Sequence, residues 1–211
     1  MSSRQDDSTG LERVVFFSDA VFAIVITLLV LPIAVDAGVD SPPDVRLAVL
    51  LADLTPRIMA FVVSFLVIGQ FWLAHHRTFG LVRRYDRLLL WLNLLALMVI
   101  SFLPFPTALL GARGSDDGSV VSFYAGCLAL ASILTMAVWL HAVRAGLIDE
   151  GADRHVVTAQ TRRSYASVAV FVVSVPVGLL GLTPALLCWL VLLPVARALV
   201  TRVGTAARAA G

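Results

Sequence analysis

Long apolar runs dominate the chain, separated by short stretches where arginine, aspartate, proline and glycine gather. A window of about 20 residues, the length of a helix that crosses a bilayer core, picks out six spans, at about 13–34, 57–79, 87–110, 120–143, 163–182 and 184–201. Only a tight turn near Gly181, Leu182, Thr183 and Pro184 parts the last two. Residues 42–54 begin with two prolines and carry Asp44 and Asp53, which predicts either a short interfacial helix or an extension of the second span. They are too few and too charged to cross alone.

Composition agrees with the pattern. Of the 211 residues 59% are hydrophobic and 14% are charged, against about 25% charged in an ordinary soluble domain. The fold class expected is an all-α integral membrane protein with six transmembrane helices. Residues 1–211 form a single unit, since the polar segment of the first helix has no second copy. With the N-terminus inside, thirteen arginines fall on the inner side (Arg4, Arg13, Arg77, Arg83, Arg84, Arg87, Arg144, Arg154, Arg162, Arg163, Arg197, Arg202 and Arg208). Only three, Arg46, Arg57 and Arg113, fall outside. That asymmetry predicts a multi-pass protein of the cell membrane with both termini cytoplasmic. The outer loops carry Asp36, Asp40, Asp44, Asp53, Asp116 and Asp117 instead. Asp6, Asp7 and Glu12 ahead of the first span argue against a cleaved signal peptide.

The first span carries the chemistry. Asp19 stands at the head of its apolar run, and a carboxylate at membrane depth costs about 2.5–3.5 kcal/mol unless it finds donors. At about 100° per residue, Ile24, Leu28 and Leu31 share one stripe, Phe17 and Val21 extend it inward, and Thr27 sits on its edge. Ser18 and Asp19 point away from that stripe. Taken alone, the stripe is lipid contact or core packing.

Depth supplies partners for the acid. Asp19 lies six residues past Arg13, and Asn93 six past Arg87, about 9 Å of helix rise in each case. Trp72 and His76 share a face at i, i+4 near the inner end of the second span. Ser18, Asp19, Trp72, His76 and Asn93 therefore fall in the inner third of the membrane on three consecutive helices. Three readings follow: a structural clamp that pairs buried polar groups, a proton relay through Asp19 and His76, or a metal site. The adjacent rings of His75 and His76 diverge by about 100°, which disfavours the last. Cys127 and Cys188 lie inside spans and read as packing residues. The sequence holds no phosphate loop, dinucleotide fingerprint, metal-ligand spacing or nucleophile–base pair. No enzyme, cofactor or nucleic-acid partner is expected.

Three separated motifs carry a resemblance. Arg13, Phe17, Ser18 and Asp19 precede an Ile/Leu/Thr-rich helix, Gly69-Gln70-Phe71-Trp72-Leu73-Ala74-His75-His76-Arg77 follows, and the run from Leu90 through Asn93 to Pro104, Pro106 and Thr107 completes the set. In this order, on the first three spans, they resemble the transmembrane protein 175 family of potassium channels. The resemblance implies a homotetramer in the lipid bilayer, like the single-repeat prokaryotic members. The first helix of each subunit would line a central pore, without the carbonyl filter of other potassium channels. It implies a constriction at Ile24, with Leu28 and Leu31 above it and Thr27 near the layer that favours K⁺, the permeant ion. Arg13, Phe17, Ser18, Asp19, Trp72, His76 and Asn93 would form a structural polar cluster. Selectivity for K⁺ over Na⁺ is expected to be modest. The alternative function is a proton channel or proton-coupled transporter using Asp19 and His76. Residues 145–161 read as a loop, either a partner site or a linker.

Overall fold

The computed structural model describes residues 2–34, 47–114, 117–192, 194, 195 and 198. The outer-loop acids Asp36, Asp40, Asp44 and Asp116, the arginines Arg46, Arg197, Arg202 and Arg208, and most of the end of the sixth span lie outside them. The elements are α1 (Ser2–Leu28), α2 (Leu47–Leu81), α3 (Arg87–Phe102), α4 (Pro104–Arg113), α5 (Gly118–Arg144), α6 (Arg154–Gly178) and α7 (Leu182–Leu187), which runs into a π-helical turn, Cys188–Leu192. The chain is all-helical; among the described residues the only β pairing is an isolated bridge between Val82 and Ile148.

Four stretches are long and apolar enough to cross a membrane: Thr9–Ala34, Leu47–Leu81, Arg87–Arg113 and Gly118–Arg144. They overlap the first four expected spans, each running somewhat longer. The second starts earlier than expected, because α2 runs unbroken from Leu47 through Pro56. Of the two readings of residues 42–54, extension of the second span is the one found for 47–54. The third span is interrupted at Leu103, between α3 and α4. Pro104 has no N–H and its ring crowds the preceding turn, so the Ile100 carbonyl is met instead by the Leu103 N–H at 3.1 Å. Helix α6 begins at Arg154, nine residues before the expected fifth span, so only residues 145–153 of the expected 145–161 loop are a loop. The missed turns are those bearing His155, Gln160 and Arg162, too polar to register in an apolar window. The turn between the fifth and sixth spans falls at 179–181, slightly before the expected Gly181 to Pro184, because Leu182, Thr183 and Pro184 already open α7; Gly181 has φ 113°, a conformation that favours glycine.

Aspartates start three of these helices. Asp86 accepts from the Leu89 N–H, Asp117 from that of Ser119 and Asp153 from that of His155, each satisfying a donor that the first helical turn leaves unpaired. Helix α5 packs along α6 and also against α3 and α4. At the end of α6, Gly178 lies so close to α5 that a Cβ there would fall 2.8 Å from the Ser122 backbone nitrogen. Two buried clusters result. The larger one joins α1 to α7 around Phe22, Phe71, Ile100, Tyr124, Phe171 and Trp189. The smaller lies near the α2–α3 connection, around Phe79, Val82, Leu89, Val138 and Leu147.

The α2–α3 and α5–α6 connections are stapled together. Arg83 N–H donates to the Leu147 carbonyl at 2.9 Å, Asp149 N–H to that of Leu81 at 2.9 Å, and the Arg83 guanidinium pairs with the Asp149 carboxylate at 3.2 Å. Asp86 also faces His141, whose Nε2 lies 2.8 and 3.0 Å from its two oxygens. The Leu89 N–H first, and then His141, hold the Asp86 carboxyl below its usual 3.8. The stability Asp86 contributes is therefore complete above that value and is lost as pH falls through the lower folded-state value. Asp86→Ala is expected to destabilise the detergent-solubilised protein by about 0.5–2 kcal/mol in thermal unfolding at neutral pH. Asp86→Asn, which keeps a capping oxygen, should cost less. Equal losses would contradict the capping role.

Candidate functional site

Helix α1 has a buried edge and an open face. Ser18, Phe22, Val25 and Leu29, spaced at i, i+4, i+7 and i+11, are all 2% exposed or less. That spacing is one side of an α-helix, and it packs into the larger cluster. Val21, which the sequence puts at the inner end of the opposite stripe, is half-buried against the same cluster.

Two adjacent polar residues fix the rotation of this helix. Ser18 accepts a hydrogen bond from the Asn93 amide of α3 at 3.0 Å and donates its own proton to the Val14 carbonyl at 2.8 Å. One position on, the Asp19 carboxylate accepts from the Trp72 indole of α2 at 2.9 Å. Neighbours about 100° apart on α1 are thus tied to two different helices. Asn93 Oδ1 in turn faces His75 Nε2 at 3.2 Å. Because the Asn93 amide nitrogen is the donor to Ser18, its oxygen is the acceptor here, and His75 donates through Nε2. Ser18, Asn93 and His75 are all buried.

Ser18 and Asn93, and separately Asp19 and Trp72, are thus joined across α1, α2 and α3, and His75 extends the first pair. His75, which sequence reasoning left out, makes the buried hydrogen bond. His76 is exposed and joins by stacking on Trp72, ring centroids 5.6 Å apart. The i, i+4 relation to Trp72 holds, but Trp72 is itself at the rim, so its partner one turn on is at the rim as well. His75 instead packs between Phe22 and Phe79, at 5.7 and 4.3 Å between ring centroids. Arg13 and Phe17 lie on the open side of α1, outside the hydrogen-bonded group. No hydrogen bond or ion pair joins Arg13 to another described residue.

Opposite the buried edge, Phe17, Ile24, Leu28 and Leu31 are 54%, 58%, 39% and 52% exposed. Thr27 lies among them, also exposed. Its hydroxyl donates to the Ile24 carbonyl at 2.8 Å, which leaves its oxygen lone pairs directed away from the helix. Sequence reasoning missed a second polar group, toward the opposite end of the bundle. The Thr107 hydroxyl reaches Ser64 at 2.9 Å and the Leu103 carbonyl at 2.8 Å, and Ser64 meets the Tyr124 hydroxyl at 2.8 Å. It links α2, α4 and α5 through residues scattered singly in apolar runs, so no spacing in the sequence marks it. Among the described residues no group of three or more His, Cys, Asp or Glu could hold a metal ion.

These contacts rank the brace. Asn93→Ala strands the buried His75 donor and should cost about 1–3 kcal/mol. Trp72→Phe removes one bond to a partly exposed carboxylate, about 0.5–1.5 kcal/mol. Thermal midpoints of the two purified variants check the order, and a larger loss for Trp72→Phe would contradict it.

Comparison with known proteins places this arrangement. The family described as endosomal/lysosomal potassium channel TMEM175 matches residues 13–104, the stretch that holds the stripe and the whole hydrogen-bonded cluster. "Potassium channel B446_29190" of Streptomyces collinus is 42% identical over 145 residues, 67% of this chain and 69% of that one. The human "Endosomal/lysosomal proton channel TMEM175" is 37% identical over 141 residues, 63% of this chain but 28% of its own length. The crystal structure of a lysosomal potassium-selective channel TMEM175 homolog from Chamaesiphon minutus superposes with a TM-score of 0.75 at 32% identity, covering 92% of this chain and 98% of that one. The chain belongs to the TMEM175 family, multi-pass helical membrane proteins that act as cation channels and not as enzymes.

Proposed function

We propose that the protein is a K⁺-permeable cation channel of the cell membrane, with both termini cytoplasmic. Residues 1–211 act as one channel unit that assembles as a homotetramer. In this reading the open face of α1 lines the central pore: Ile24 is the constriction, Leu28 and Leu31 stand above it, and Thr27 biases the layer toward K⁺. No cofactor takes part; K⁺ is the permeant ion.

One observation carries the reading. The face of α1 that bears Ile24, Leu28 and Leu31 is uncovered in the single chain, on a helix whose rotation is pinned by the bonds of Ser18 and Asp19. A lipid-facing stripe needs no such pinning, whereas a pore wall does. A ring of four aliphatic side chains closes a pore by excluding water. It offers no oxygen cage in exchange for the hydration shell, so discrimination between K⁺ and Na⁺ is modest. The Thr27 hydroxyls add lone pairs, which face a cation favourably. At the outer side, the hydroxyl and backbone N–H of Ser119 hold the Asp117 carboxyl below the usual carboxylate range. It stays ionised at neutral pH and draws cations toward the mouth.

The human relative's name raises proton conduction as the competing reading. The bonding of the cluster favours a brace over a relay. Between His75 and Ser18 stands the amide of Asn93, and the partner of Asp19 is an indole N–H; neither exchanges protons readily.

Reconstituted protein should pass a current that reverses near the K⁺ potential and does not shift with pH. Ile24→Asn should raise conductance several-fold and weaken selectivity. Asp19→Ala should lower the yield of tetramer more than it alters ion preference. Absence of K⁺ flux in both wild type and Ile24→Asn would overturn the channel reading. A reversal potential that follows pH would favour the proton reading.

A further inference from the structure

A second site lies away from α1, where α2, α5 and α6 meet. A cavity of about 20 Å³ opens there, lined by Arg77, Ser132, Thr135, Gln160, Arg163, Ser167 and neighbouring side chains. Its size suits one oxygen atom, of a water or of a larger group seated at its mouth.

The charges around it are unbalanced. Two guanidinium groups, Arg77 and Arg163, line the cavity and no acid does. No ion pair joins either one to a carboxylate among the described residues. The contrast is local: the cavity at the 145–153 loop is lined by Arg84 and Arg154 together with Asp149 and Glu150.

Donors are left over as well. Arg77 Nε is buried without a hydrogen-bond partner. Ser132 is 4% exposed and makes no hydrogen bond to another described residue. The other hydroxyls are committed to their own helices: Thr135 donates to the Ala131 carbonyl, Ser164 to that of Gln160 and Ser167 to that of Arg163. Gln160, 5% exposed, donates to Thr78 at 3.3 Å. A single water would satisfy Arg77 Nε but leave both positive charges uncompensated. An anionic oxygen meets both demands, and a guanidinium pair suits a phosphate, which accepts several charge-assisted hydrogen bonds at once.

Position narrows the source. Arg77 is one turn from the end of α2, and Arg163 marks the point on α6 where the charged turns give way to apolar ones. Both stand at the membrane boundary on the arginine-rich side, where basic pockets between helices meet lipid headgroups.

We propose that Arg77, Arg163 and Ser132 form a phosphate-binding site between α2, α5 and α6, with one phosphate oxygen seated in the cavity. The same chemistry is offered by the phosphodiester of an anionic lipid and by free inorganic phosphate, and the test separates them. Thermal unfolding of the delipidated full-length protein is followed in three conditions: phosphatidylcholine vesicles, the same vesicles with phosphatidylglycerol, and phosphatidylcholine vesicles with inorganic phosphate. Phosphatidylglycerol at saturation is expected to raise the wild-type midpoint by roughly 5–10 °C. Arg77→Gln, Arg163→Gln and Ser132→Ala should each reduce that rise, while Arg162→Gln, at an exposed neighbour, should keep it. Arg163→Gln and Ser132→Ala keep the test valid if Arg77→Gln fails to fold. A rise with phosphatidylglycerol alone assigns the site to a lipid, and a rise with inorganic phosphate assigns it to the free ion. No rise in either condition, or a rise that survives in Arg163→Gln and Ser132→Ala, would overturn the proposal and leave the cavity to water. The readout is independent of ion conduction.

Discussion

A polar side chain inside a bilayer must find its partner within the protein, and on α1 that demand falls on two consecutive residues. Ser18 takes its bond from Asn93 of α3 and Asp19 from Trp72 of α2. Hydrogen bonds between membrane helices contribute about 0.6–2 kcal/mol each, which is modest as stability. As geometry the pair is decisive, because two bonds about 100° apart leave one rotation of the helix that satisfies both. Phe22, Val25 and Leu29 then enter the core, and the stripe opposite them is turned outward. The exposure of Ile24, Leu28 and Leu31 is thus a consequence of where Ser18 and Asp19 are tied.

The rest of the bundle holds those ties in place. Asn93 is set at its depth by the Asp86 cap at the start of α3, less than two turns earlier. Asp86 in turn faces His141 on the last turn of α5, so the depth of α3 is referenced to α5. The pairing of Val82 with Ile148 and of Arg83 with Asp149 fixes the C-terminal end of α2 against the same corner. Toward the opposite end of the bundle the Thr107, Ser64 and Tyr124 hydroxyls and the close approach of Gly178 to α5 do the equivalent work.

Much of this was legible in the sequence, where the signal is strong. Four apolar spans stand out by length alone, and counting residues from Arg13 and Arg87 matched Ser18 and Asp19 to Asn93 in depth. Other features were hidden for physical reasons. Depth matching carries no angular information on α2, and residues 75 and 76 are one position apart. Spacing to Trp72 therefore pointed to His76, while burial selected His75, one place nearer the core. The start of α6 was hidden because its first turns are charged and helical at once, which an apolar window reads as loop. Pro104 divided a span, whereas Pro176, in the last turn of α6, did not. The Thr107–Ser64–Tyr124 group and the Arg77–Arg163 cavity unite residues from three helices and have no local signature.

The central claim is that the open face of α1 meets the permeating ion and its buried edge does not. Single cysteines at positions 24 and 25 separate the two faces, since Ile24 is 58% exposed and Val25 2%. The variants Ile24→Cys and Val25→Cys, each in a background with Cys127→Ala and Cys188→Ala, are reconstituted and their K⁺ current recorded before and after a water-soluble, positively charged thiol reagent. The account predicts that the current of Ile24→Cys is blocked and that of Val25→Cys is unchanged. Block at position 25, or an unmodified current at position 24, would contradict it.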